Sequence, residues 1–323
     1  MPTLAPHPPV PVVRTSPDDW HEFTAATPPA SADLSEVVRA AGRARRLLPE
    51  AAHDLLADLG DDTLPDPLGA LLIRGVPVGD LPATPVTPGA RTGKDNTSEF
   101  ALLSVARSLG QPVGYLPEHG GSIVQDLVPT AASAHQQVST SSAVELEFHT
   151  ETAFHPHRPR YLLLLCLRGD PNAGTLLCNI CDVVDQLDPE VRSVLAQPRF
   201  RTGVDESFTD GRPAELRDPA PVLRGDPRRP ELVFDAGLMH GTDAQADAAL
   251  AVLAEATRAA RVSVTLEAGD LLVVDNHLCI HGRTPFAARF DGTDRWLQRS
   301  FVVADLGPSA DERDGRVITT TFV

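Results

Sequence analysis

Lysine is almost absent from this chain: Lys94 is the only one in 323 residues, and 27 of the 28 basic side chains are arginine. The bias mostly reflects GC-rich codons, yet it leaves arginine, the better bidentate holder of carboxylates, as the cation for any anion site. Basic residues of either kind are too few to offset 44 acidic ones, and the formal charge is −16. A surface of that sign repels phosphate backbones and anionic lipid, which excludes nucleic acid and membrane surfaces as partners. No run approaches the ~18 consecutive apolar residues of a membrane helix. The start, MPTLAPHPPVPVV, has no basic stretch ahead of an apolar core, so the chain reads as cytoplasmic. Four cysteines, Cys166, Cys178, Cys181 and Cys279, are too few for a disulfide scaffold. Cys178 and Cys181 form a CxxC pair with no second pair beside it, and buried thiols are a simpler reading than a redox or zinc site.

Apolar residues make up 42% of the chain and charged ones 22%, a composition that folds. No internal repeat is visible. Residues 33–59 carry helix-period apolar positions interrupted at Pro49, ALLIRGV (70–76) reads as a buried strand, and a helix is expected from Ser98 to Leu109. The proline-rich start and DLPATPVTPG (80–89) read as loops. From residue 121 strand signals crowd together: 122–128, 143–151, 161–167, 174–180, 199–204, 231–235, 261–267, 270–276 and 295–305, with one alanine-rich helix from Thr242 to Ala260. Many short strands without βα alternation argue against a doubly wound sheet. They predict a mainly β fold with flanking helices, a β-sandwich or jelly roll whose mouth suits a small ligand or metal. One domain over 1–323 is expected, with a helical N-terminal addition (1–69), a core (70–305) holding the helical insertion near 242–260, and a C-terminal tail (306–323).

The segment AVELEFHTE (143–151) is the most informative. Val144, Leu146 and Phe148 alternate with Glu145, Glu147, His149 and Glu151, so a strand would send His149 and Glu151 to one face, within reach of one metal ion. About 1.5 His-x-acid matches are expected from this composition by chance, and for the motif alone a solvated polar face is the better explanation. Support comes from LEAGDLLVVDNHLCIHGRTPF (266–286), where His277 or His281 follows a buried strand and could supply a second imidazole. Two histidines and one carboxylate with open positions is the set used for non-haem iron(II). His281 is preferred because Arg295 and Arg299 follow it in DRWLQRSF, on one strand face with Leu297. Their backbone positions would lie roughly 13 Å apart, and two inward arginines near a metal suit two separate carboxylates.

ELEFHTETAFHPHRPRYLLLLCLRGD (145–170), together with LEAGDLLVVDN and HGRTPFAARFDGTDRWLQRSFVVAD (266–305), resembles the clavaminate synthase-like branch of the Fe(II)- and 2-oxoglutarate-dependent oxygenases. The resemblance covers residues 70–305 and implies a double-stranded β-helix core. It implies Fe(II) held by His149, Glu151 and His281, with Fe(II), 2-oxoglutarate and dioxygen as the reaction's cofactors. It also implies that Arg295, helped by Thr175, grips the distal carboxylate of 2-oxoglutarate, and that Arg299 takes the α-carboxylate of an amino acid. Glu118 would receive the α-ammonium, with Ser139 as a neighbour. Asp235, with Asp205 or Glu206, would meet a cationic side-chain end, and DESFTDGR (205–212), which contains Gly211, resembles a lid.

Within that branch QDLVPTAASAHQQVSTSSAVELEFHTE, TGVDESF and LVFDAGLM are most similar to free L-lysine hydroxylases, which implies hydroxylation at C3 or C4. Arginine hydroxylases of the branch carry a second acid two residues before the position of Asp235, where this chain has Val233, and one acid suits an ammonium better than a guanidinium fork. The alternatives are hydroxylation or desaturation of arginine, asparagine or another polar amino acid. From other classes come a non-redox, cupin-like metal enzyme, which would not need Arg295, and a catalytically idle binding protein.

Overall fold

The computed structural model describes residues 10–61, 63–64, 67–89, 93–209 and 216–322. The N-terminal part runs Val12–Arg14 (β1), His21–Ala25 (α1), Leu34–Ala44 (α2), Glu50–Gly60 (α3), Ala70–Arg74 (β2), Thr97–Leu109 (α4), Gln111–Tyr115 (β3) and Gln125–Leu127 (β4). The middle continues with Leu146–His149 (β5), Tyr161–Arg168 (β6), Gly174–Asn179 (β7), Pro189–Leu195 (α5), Phe200–Thr202 (β8), Leu223–Asp226 (β9), Arg229–Leu232 (β10) and Met239–Gly241 (β11). The last part holds Ala244–Ala259 (α6), Val262–Thr265 (β12), Leu271–Asp275 (β13), Cys279–Arg283 (β14), Trp296–Val303 (β15), Arg313–Asp314 (β16) and Val317–Ile318 (β17).

Two sheets form the core. The larger has the order β1-β2-β13-β6-β15-β3-β17-β16, with β4 also paired to β15, and the smaller has the order β12-β7-β14-β5. Strand alternation divides the apolar residues of the large sheet between two layers. Leu163, Leu165, Leu271 and Val273 pack outward with Phe100, Leu103 and Val37 of the helices. Their neighbours Leu162, Leu164, Leu272 and Val274 pack inward with Leu177 and Cys279 of the small sheet. On the other side of the small sheet, Cys178, Ile180 and Ile280 pack with Ala249, Leu250 and Leu253 of α6. The result is a jelly roll with helices on both sides, as the strand-rich sequence predicts.

The helices start where their caps are. Asp33 accepts from the Glu36 amide at 2.9 Å and Glu36 returns a bond to the Asp33 amide at 3.1 Å, a capping box that opens α2. Pro49 stands before α3, which explains the interruption in the apolar period. Asp243 accepts from the amides of Gln245 and Ala246 and opens α6 two residues after the expected Thr242.

Several expected strands are shorter, because their ends turn into the site. The strand expected over 122–128 is confined to Gln125–Leu127, the one over 199–204 to Phe200–Thr202, and the one over 231–235 stops at Leu232, leaving Asp235 in an isolated bridge to His149. The proline-rich start is not all loop: Val12–Arg14 pairs in parallel with β2. Nor is the tail free, since β17 pairs in parallel with β3. Among the described residues no helix is long and apolar enough to cross a membrane.

Candidate active site

The small sheet brings the candidate ligands together. Strand β14 lies between β7 and β5, with His281 opposite His149 on one side and Leu177 on the other. Two residues on, Arg283 lies opposite Leu146 and Thr175, so β5 carries one residue more than β14 between the paired positions. Such a bulge re-aims side chains at the edge of a sheet. Gly282 stands at that point, where a Cβ would come 2.6 Å from the Leu146 carbonyl, so only glycine lets the two strands approach.

Glu151 reaches the site by a route that differs from the alternation expected of residues 143–151. The strand ends at His149, and Glu151 lies in the turn beyond it. Its amide donates to Asn276 Oδ1 at 2.7 Å, and Asn276 Nδ2 donates back to the Glu151 carbonyl at 3.2 Å and to the Pro159 carbonyl at 2.9 Å. Thr150 is tied to Leu232 and Phe234, and Thr152 takes the left-handed region at φ 50°, which redirects the chain. Asn276 therefore positions Glu151, though only its place after an apolar strand hints at this in the sequence.

His149, Glu151 and His281 each offer one ligand atom, and these atoms all lie within 4.8 Å of one another. The Nδ1 of His149 lies 2.8 Å from the Glu147 carbonyl; as a donor there it leaves Nε2 to face the site. Burial, aided by the charge of His149, holds His281 down at about 4, so it is a neutral imidazole as a ligand must be. Burial alone would raise Glu151, but Arg299 and the two histidines overcome it and hold the carboxyl at about 2. Glu151 Oε2 is buried with no hydrogen-bond partner. Two imidazoles, an ionised carboxylate and a buried unsatisfied oxygen fit a divalent iron ion with open positions. His277, the other candidate, lies 3.5 Å from Glu231 and is not in the cluster.

Above the ligands opens a cavity of about 740 Å³ lined by every predicted substrate and cosubstrate residue: Arg295, Thr175, Arg299, Glu118, Ser139, Asp235, Asp205 and Glu206. Arg295, just ahead of β15, and Leu297 and Arg299 within it all line the cavity, as the alternation predicts. Arg299 is buried, with Nε donating to Gln125 Oε1 at 2.8 Å, Nη2 pairing with Glu118, and Nη1 3.5 Å from Glu151 Oε1. Burial pushes the Glu118 carboxyl up against the pull of Arg299, and its Oε2 has no partner. Thr175 Oγ1 is likewise buried and unpartnered. Asp235 accepts from the amides of Gly237 and Leu238 through Oδ1, at 2.9 and 2.8 Å, and burial raises its carboxyl. The charge of Asp205 acts on both Glu118 and Asp235, whereas Glu206 is exposed. Val233, where a second acid was sought, is buried in the α6 core.

Of the segment 205–212, Asp205 caps a short turn, Glu206–Phe208, and residues 210–212, with Gly211, lie outside the described residues. Gln125, Asn276 and Arg283 are site residues that the sequence did not single out. Gln125 becomes legible only once β4 is known to pair with β15, which sets it opposite Arg299. Of the CxxC pair, Cys178 is buried, and burial pushes its thiol up to about 12.

Residues 48–301 match the model of the taurine catabolism dioxygenase TauD, TfdA family. An L-lysine 3-hydroxylase of Catenulispora acidiphila is 42% identical over 261 residues, 79% of this chain and 73% of that protein. An L-asparagine oxygenase of Streptomyces coelicolor is 39% identical over 305 residues, 93% of this chain and 90% of that protein. Among solved structures, an asparagine oxygenase in complex with Fe(II), 2S,3S-3-hydroxyasparagine and succinate superposes with a TM-score of 0.85 at 36% identity, covering 96% of this chain and 99% of that one.

Proposed function

Since the chain belongs to the TauD/TfdA dioxygenase family, and its relatives are iron- and 2-oxoglutarate-dependent oxygenases of free amino acids, we propose that it hydroxylates free L-lysine at C3 or C4. One observation carries the substrate: the cavity holds charged groups of matching sign on both sides of the ligand cluster. Arg299 and Glu118 stand beside Glu151, and Asp235 is bridged to His149. A zwitterion needs one cation and one anion for its backbone groups, and a cationic side chain needs a further acid. Arg299 would take the α-carboxylate in exchange for its internal partners. Glu118, whose Oε2 is free, would take the α-ammonium with Ser139 beside it. Asp235, with Asp205 and Glu206 within the same cavity, would take the ε-ammonium.

His149, Glu151 and His281 would hold iron(II), which when bound supplies the activation of dioxygen that is coupled to conversion of 2-oxoglutarate into succinate and carbon dioxide. Arg295, with Thr175 Oγ1, would grip the distal carboxylate of that cosubstrate. Phe154 and Phe208, which meet edge to face with ring centres 5.0 Å apart, line the cavity and keep water from the reacting carbon. The protein thus fixes one C–H bond of the substrate by gripping both of its ends.

The test is a panel of free amino acids scored for succinate formation and for product mass. Lysine is expected to give the highest kcat/KM and a gain of one oxygen atom. Preference for asparagine, or loss of two hydrogens instead, would overturn the proposal. Asp235→Asn keeps the Oδ1 acceptor of the Gly237 and Leu238 amides and removes the charge. It should lower kcat/KM for lysine about 30-fold, equivalent to ~2 kcal/mol, and leave the 2-oxoglutarate requirement unchanged.

A further inference from the structure

Arg283 and Arg295 are two buried cations that, among the described residues, make no salt bridge with a carboxylate. They are 4% and 7% exposed, both line the cavity, and their guanidinium carbons lie 5.1 and 5.9 Å from the centre of the Phe286 ring. Arg283 donates through Nη2 to Ser141 Oγ at 2.9 Å and to the Val144 carbonyl at 3.3 Å, and through Nε to the Thr284 carbonyl at 3.3 Å. All three acceptors are neutral. Asp170 acts on Arg295 from a distance, with its Oδ1 engaged by the Asn172 amide. Two desolvated like charges are costly until an anion reaches them. An independent feature points to the same place: Thr175 lies opposite Arg283 in the sheet, is 3% exposed and lines the cavity, and its buried hydroxyl has no partner.

We propose that Arg283 is a second cosubstrate-binding cation, which with Arg295 and Thr175 forms a pocket selective for the distal carboxylate of 2-oxoglutarate. The proposal rests on the assignment of Arg295 and Thr175 to that carboxylate. It gives Arg283 a double position, because its neutral partners Ser141 and Val144 belong to the segment that leads into β5 and so to His149. A second bond, from the Phe286 amide to the Ser142 carbonyl at 2.8 Å, braces the same segment. A bound carboxylate would thus be held by the group that anchors the approach to the ligand strand.

The experiment is calorimetric titration of the anaerobic, iron(II)-loaded protein with 2-oxoglutarate and with 2-oxovalerate, which has the same chain length and no distal carboxylate. Arg283→Gln keeps a donor for Ser141 and Val144 and removes the charge; Arg283→Lys keeps the charge and loses the fork. The glutamine variant should bind 2-oxoglutarate at least about tenfold more weakly while its affinity for 2-oxovalerate stays within about twofold, and the lysine variant should stay within about threefold of wild type for both. A purely anchoring role gives the opposite order, with glutamine restoring affinity and lysine not, and that result would overturn the proposal. Equal weakening toward both keto acids would also overturn it, since no charge recognition would then be involved. A wild-type protein that binds neither keto acid would overturn the cosubstrate reading itself.

Discussion

His149→Ala and His281→Ala each reduce amino-acid-stimulated succinate formation by about a thousandfold or more, and each protein retains less than one equivalent of iron. The expectation follows from the ligand count. His149, Glu151 and His281 are the one group of three such donors found among the described residues, their ligand atoms within 4.8 Å of one another, and removing one leaves two. The fold should survive both changes. His149 is half-buried at the end of β5, and His281 Nδ1 has no partner to leave orphaned. Thermal unfolding of the two variants is therefore expected within a few degrees of wild type, which separates loss of the metal from loss of the protein. Turnover near the wild-type rate in both variants would end the assignment of the ligands.

Arg295→Ala is expected to raise the 2-oxoglutarate requirement about a hundredfold, equivalent to ~3 kcal/mol, with a much smaller effect on the amino-acid KM. The reasoning is electrostatic. Arg295 is 7% exposed and among the described residues makes no salt bridge, with Asp170 acting on it only from a distance, so its guanidinium is left to meet an incoming carboxylate. It immediately precedes β15, which is paired with β6 on one side and with β3 and β4 on the other, so the pocket does not depend on a loop for its shape. Arg299 should behave differently. Its substitution releases Glu118 and disturbs Glu151 as well, and both KM and kcat for the amino acid should suffer. An unchanged 2-oxoglutarate affinity in Arg295→Ala would reassign that residue.

Much of this site was legible because its chemistry lies on regular strands. The alternation through Arg295, Leu297 and Arg299 predicts one face, and the three line one cavity. The alanine-rich pattern after Thr242 predicts α6, and Asp243 supplies its cap. Glu151 marks where period-two reasoning reaches its end. The two residues share a site, but the strand stops at His149 and the second ligand is delivered by a turn clamped to Asn276, 125 residues away. A bond of that span leaves no period in the sequence. β4 falls inside the strand expected over 122–128, but its pairing with β15 and that of β17 with β3 were hidden, since neither segment carries enough apolar alternation to announce its partner. Arg283 escaped notice because Arg295 and Thr175, which make it unusual, come near it only in the folded chain.

Val233 shows how far the substrate could be read. The sequence supplied no second acid at that position, and the residue is part of the core beneath α6. The acids that share the cavity with Asp235 come instead from the turn at Asp205 and Glu206. The net charge of −16 favours approach of a cationic amino acid. The anionic cosubstrate must be drawn by the local arginines.

The central claim is that His149, Glu151 and His281 hold iron(II) in a pocket where 2-oxoglutarate can chelate it. Anaerobic titration of the protein with iron(II) and then 2-oxoglutarate tests this most directly. The account predicts a weak visible charge-transfer band that saturates at one equivalent of iron, is absent in His281→Ala and requires far more 2-oxoglutarate in Arg295→Ala. A wild-type protein with no band at saturating iron and 2-oxoglutarate would contradict it.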